Sequence, residues 1–194
     1  MYKAFNKKHK YLEQWKRVKR WYKKVKEIEN DCKGTDDECL DIIYAFFMNL
    51  YHLKDWLKHS IFEQNENARQ EVEDLFDENE GEEFFKVCAD FVNGAKHMEA
   101  NRRTRIDSNT RVDKQSVTIK KLPALSLQLN TQPKKNNKQK NDIFSYPETK
   151  YRWEIKCGGK YYDAYNLAKQ CFNGWQSFLR RKKLLPNIPT NKKK

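Results

Sequence analysis

Residues 40–53 read LDIIYAFFMNLYHL, a run carrying one formal charge, Asp41, and one imidazole, His52. Wound as a helix, such a run is apolar nearly all round, and a helix without a wet face has to be buried by its neighbours. The chain must therefore supply a shell of partner elements, which points to an antiparallel helical bundle. This central helix is expected over residues 37–61. It follows NDCKGTDDE, where Gly34 turns the chain and Thr35 or Asp36 serves as the cap.

The shell can be read on both sides of it. In residues 8–30, Tyr11, Trp15, Val18, Tyr22 and Val25 recur at alternating spacings of four and three, forming one apolar stripe on an otherwise Lys- and Arg-rich helix. A short acidic helix over 66–79 turns Ala68, Val72, Leu75 and Phe76 inward. Gly81 separates it from a fourth helix over 82–101, packed through Phe84, Cys88, Phe91, Ala95 and Met98. After NRRTR the period changes: SVTIKKLPALSLQL alternates Leu125, Leu127 and Leu129 as a half-buried strand does. KYRWEIKCGGKYYD reads as two strands about a Gly158-Gly159 turn. A last helix from about residue 163 carries Leu167, Ala168, Cys171, Trp175, Phe178 and Leu179 on one face; RRKK suits its C-terminus and Pro186 stops it. The expected fold is mainly α, an antiparallel helical bundle with a small antiparallel β element before the C-terminal helix. Residues 1–101 form the four-helix core. Residues 102–194 hold the β element, a Lys-rich loop over 130–141, the last helix packed on the bundle and a basic tail.

Aromatics at 13% of the 194 residues argue against wholesale disorder, although hydrophobic residues reach only 38%. The net charge of +13 is unevenly spread. Residues 1–30 carry 11 cations against 3 acids, whereas residues 36–99 carry 5 against 17. An acidic middle between basic ends suggests charge pairing within or between chains, and leaves positive excess for a polyanion. The five cysteines include no C-x-x-C pair, and zinc-ligand spacing is absent. No metal or cofactor is expected. With no apolar signal core and no bilayer-length stretch, the expectation is a cytoplasmic protein without a membrane partner.

Two short polar lines interrupt the apolar helices. At 100° per residue, His52, Asp55 and His59 fall within about 60° on the second helix, flanked by Asp41, Ala45, Met48 and Trp56. Asp90, Asn93 and His97 fall within a similar arc of about 60° on the fourth, roughly opposite its packing stripe. If the lines face one another, His52 and His97 are proton-transfer candidates, with Asp55 and Asp90 to orient them and Asn93 and Lys96 as contacts. The plainer alternatives are a solvated helix side, at the fourth helix, and a structural hydrogen-bond network between the two.

The segments YHLKDW (Tyr51 to Trp56) and DFVNGAKH (Asp90 to His97) resemble those of small bacterial helical proteins, whose layout is similar to the HEPN-like bundles of toxin–antitoxin and phage-defence systems. The resemblance covers residues 37–101. It implies an antiparallel bundle, often dimeric, that binds or cleaves RNA without metal. The ribonuclease members separate an Arg from a His by four to six residues. Counting back from His97, those positions hold Val92, Phe91 and Asp90, so a carboxylate or an apolar side chain stands where a phosphate-binding guanidinium would be.

The basic ends complete the picture. KKHKYLEQWKRVKRWYKK interleaves cations with aromatic rings, a pattern suited to phosphate contact and base stacking. Lys16, Arg17, Lys19, Arg20, Lys23 and Lys24, with Arg180 and Arg181 near the C-terminus, are the nucleic-acid-binding candidates. Trp21, off the apolar stripe, is the ring expected to be exposed for stacking. A merely solvated lysine face is the competing reading.

Overall fold

The computed structural model describes residues 9–30, 34–96, 117–123 and 151–185. The helices are α1 (Lys10–Asn30), α2 (Asp36–Lys58), α3 (Glu66–Asp74), α4 (Glu83–Lys96) and α5 (Ala164–Arg181), with β1 (Val117–Pro123), β2 (Tyr151–Cys157) and β3 (Lys160–Asp163) between α4 and α5. The protein is mainly α, with a small antiparallel sheet ahead of the last helix, as the periodicity implies.

Local chemistry sets the helix starts. Thr35 accepts from the Glu38 N–H while Glu38 Oε2 accepts from the Thr35 N–H at 2.8 Å, a complete capping box for α2. Asn65 caps α3 by accepting from the Ala68 N–H, and Asp163 caps α5 by accepting from the Asn166 N–H. α3 stops at Asp74, short of the expected residue 79. Asp77 Oδ1 instead accepts from the Asn79 and Glu80 N–H groups, a local turn that competes with helix.

The three strands lie in the order β1-β2-β3, both pairs antiparallel, with Val117 opposite Cys157 and Pro123 opposite Tyr151. Gly158 and Gly159 take φ of 55° and 76°, the left-handed pair that a two-residue hairpin turn needs. The alternation at Leu125, Leu127 and Leu129 lies outside the described residues, as does the 130–141 loop.

One hydrophobic core draws on all five helices and β2. α1 packs antiparallel on α2 and α5. Trp15 and Tyr22 both stack on Phe172, at 5.0 and 4.2 Å between ring centroids, and the Tyr11 hydroxyl donates to the Leu184 carbonyl at 3.0 Å. Trp175 is fully buried, edge-on or tilted to Phe76, Phe85 and Phe178. Its neighbour Gly174 lets α5 approach α4: an added Cβ would lie 2.8 Å from the Phe84 ring and 2.9 Å from that of Phe85.

Two expectations about burial are reversed. α2 is not buried all round: its buried residues, Cys39, Ile43, Phe46, Phe47, Leu50, Tyr51, Leu53 and Leu57, form one broad arc. The helix enclosed on every side is α4, where Phe85 and every residue from Val87 to Val92 are buried. The cause is the sheet. β2 and β3 lie on the face of α4 that points away from the bundle, where Lys160 Nζ and the Tyr162 hydroxyl both donate to Glu83, at 2.9 and 2.8 Å. Those two bonds hold the Glu83 carboxyl below the ordinary range for Glu. A depressed folded pKa contributes stability above the unfolded value and loses it as pH falls through the folded one. The group is more than half exposed, so the effect is small, below about 1 kcal/mol. Glu83→Gln is therefore expected to lower the melting temperature by at most about 2 °C at pH 7. The difference between the two proteins should shrink as pH falls through the carboxylate range and vanish once Glu83 is protonated in the folded protein, as read by thermal unfolding across pH.

Cys88, Cys157 and Cys171 are buried free thiols, whereas Cys39 is disulfide-bonded. No described helix is long and apolar enough to cross a membrane.

Candidate nucleic-acid interface

The outward side of α1 follows directly from its stripe. With Tyr11, Trp15, Val18 and Val25 buried, Lys16, Lys19, Arg20, Lys23, Lys24 and Lys26 are all exposed along the helix, followed by the exposed acids Glu27 and Glu29. Lys23 sits 3.8 Å from Glu27, an exposed pair worth little. Arg180 and Arg181 are likewise exposed at the end of α5, which the Tyr11–Leu184 hydrogen bond brings beside the start of α1. The cations that the sequence singles out are thus exposed, apart from Arg17.

Arg17 is half-buried and turned toward α2, where its guanidinium carbon lies 5.1 Å from the centre of the Trp56 ring. A chain of hydrogen bonds fixes it. Asn49 donates to the Ala45 carbonyl at 2.8 Å, Gln14 Nε2 donates to the Asn49 carbonyl at 2.7 Å, and Arg17 Nη1 donates to Gln14 Oε1 at 3.0 Å. Gln14 is only 2% exposed. Sequence reasoning passed over Gln14 because a Gln in a Lys-rich helix looks solvated. Its position beside Trp15, within the i, i+3, i+4 set of Tyr11 and Val18, was the available signal.

Trp21 departs from expectation. It is half-buried against the core, with Lys24 Nζ 4.8 Å from its ring centre, rather than an open stacking platform. Position 21 lies between the apolar stripe and the wet face, and α2 covers part of that edge. Trp56, half-buried, is an aromatic beside an open groove. With Lys10, Asp55, His59 and Ser60 it lines a groove of about 300 Å³ between the start of α1 and the end of α2. The Ser60 hydroxyl donates to the Trp56 carbonyl, securing the turn that follows α2.

His52 and Asp55 are half-buried and His59 is exposed, on the side of α2 opposite its buried arc. Asp55 pairs with Lys58 at 3.7 Å, and Lys58 also meets Glu73, tying α2 to α3. On α4, Asp90 is not on a wet face: it is 7% exposed, beneath β2, with Cys157 Sγ 4.0 Å from its Oδ2. Burial, then the Asp90 charge, pushes the Cys157 thiol up to about 12, so it stays protonated. Burial and the Glu83 carboxylate also raise the Tyr162 phenol well above its ordinary range. Asn93 is half-buried near the end of α4. The Lys96 side chain and His97 lie outside the described residues, and with them the pairing of His52 with His97. Among the described residues no three His, Cys, Asp or Glu side chains gather as a metal-binding group.

The chain was compared with family models, with curated proteins and with solved structures, and no match was found in any of the three.

Proposed function

We propose that this chain is a divergent HEPN-like module that binds RNA, chiefly through phosphates, along the outward face of α1. The observation that carries the reading is the row of six exposed cations from Lys16 to Lys26. Ten residues of helix rise about 15 Å, a length over which a strand meets several of these cations in succession. Such contacts act by neutralising phosphates and releasing counterions, so they give affinity with little sequence preference.

The test is the salt dependence of binding. For six phosphates neutralised on a single strand, log K is expected to fall against log salt with a slope of about −4. Affinity for a labelled RNA should then drop by roughly 250-fold between 50 and 200 mM salt, measured by fluorescence anisotropy. Salt-independent binding, or none at 50 mM, overturns the reading.

Binding without cleavage is the form we favour, because Asp90 is enclosed under the sheet and the Arg expected before His97 is absent. The enclosure of Asp90 supports a structural role for that carboxylate. RNA incubated with the protein should stay intact. Turnover that survives a chelator and is lost in His97→Ala would instead make the chain a metal-independent ribonuclease.

A further inference from the structure

We infer that the groove formed by Lys10, Asp55, Trp56, His59 and Ser60 receives one unpaired nucleotide of the RNA strand that lies on α1, and prefers bases with an exocyclic amino group. The inference rests on the RNA-binding reading and adds to it a base-reading site.

Size decides first. About 300 Å³ lies at the lower end of the range for small-ligand sites, so it suits a single nucleotide and not a folded element. The walls decide next. Single-stranded RNA is read by splaying a base onto an aromatic ring or a guanidinium plane; the groove offers the Trp56 ring, which with the Arg17 guanidinium 5.1 Å from its centre forms one unit. That unit is built rather than incidental: the buried Gln14, itself held by Asn49, fixes the guanidinium through Oε1. A planar group held in place before binding loses less entropy when a ligand arrives. Lys10 is exposed at the rim and continues the cationic surface of α1, so a strand on that surface can place a phosphate beside it. Asp55 then sets the preference. Its carboxylate accepts hydrogen bonds and donates none, and Lys58 engages it through Oδ1. Adenine, cytosine and guanine offer an exocyclic amino donor; uracil offers only a ring N3–H set between two carbonyl oxygens, which a carboxylate repels.

The experiment uses the full chain and labelled single-stranded rA12, rC12 and rU12, with an RNA duplex as competitor. The wild type is expected to bind rA12 and rC12 about fivefold or more tighter than rU12, and Asp55→Asn to abolish that difference. Trp56→Ala should weaken rA12 binding by about tenfold with the salt slope unchanged, since stacking releases no counterions. Lys10→Glu should lower the slope by about 0.7, the share of one phosphate. Should Trp56→Ala fail to fold, by circular dichroism, the substitutions at Lys10 and Asp55 decide, because both side chains are substantially exposed. Equal affinity for the three strands, or variants at Asp55 and Lys10 that behave as wild type while salt-sensitive binding persists, overturns the groove and leaves the α1 reading standing. A duplex that competes as well as rA12 overturns the groove too. Failure of the wild type to bind any strand removes both.

Discussion

Replacing Trp175 with Ala is expected to destabilise the protein by about 3–5 kcal/mol, the usual cost of truncating a large aromatic in a packed core. For a chain of this size that corresponds to a melting temperature lower by roughly 10 °C. The side chain is fully buried, and its ring neighbours come from the segment after α3 (Phe76), from α4 (Phe85) and from α5 itself (Phe178). Truncation leaves a cavity lined by rings that cannot all collapse into it. Trp175→Phe should cost much less, for a reason beyond size. Among the described residues Trp175 Nε1 is buried without a hydrogen-bond partner, so the smaller ring also removes an unsatisfied donor. Urea or thermal unfolding of the two variants checks this. A loss below about 1 kcal/mol in Trp175→Ala would mean that α5 is not integral to the core, because full burial of such a ring predicts more.

The second large effect concerns the charged face. Changing Lys16, Arg20 and Lys23 together to Glu alters the net charge by six units, from the native +13. All three side chains are exposed and remote from the buried stripe, so stability should move by no more than about 0.5 kcal/mol per site. RNA affinity should fall by at least about a hundredfold at 100 mM salt, and the salt slope should shrink by about 2, three phosphates' worth on a single strand. Isothermal titration or anisotropy at several ionic strengths reads both. Unchanged binding would overturn the assignment to α1 and direct attention to Arg180 and Arg181.

Much of this architecture was legible because helices advertise themselves through repetition. The stripe from Tyr11 to Val25, the inward residues of α5 and the Gly158-Gly159 turn all lie where spacing and backbone chemistry put them. The misreadings share one cause: periodicity reports which face of a helix is polar, and does not report what later segment will cover it. Asp90 opposes Cys88 on the wheel, which fits either a site-facing or a solvated side, yet β2, some sixty residues further on, lies over it. Conversely, the apolar run at Ile42 to Leu53 looked enclosed, yet Ala45, Met48 and His52 are half-buried on its outer side. The groove at Trp56 was invisible for a different reason. It exists where two helix ends meet, so no single segment carries its signature. Trp56 appeared in the sequence as a flank of the His52–His59 line, not as a wall shared with Lys10.

The enclosure of α4 between bundle and sheet has a consequence for synthesis. α1 and α2 can close on each other as soon as both have left the ribosome, since their contacts are close in sequence. α4 cannot: the flank that carries Glu83 and Asp90 waits for the strands ending at Asp163, and an apolar one waits for α5. While residues 97–163 are being translated, both flanks of this helix stand uncovered, and this interval is when a nascent chain most depends on chaperones or is lost to aggregation.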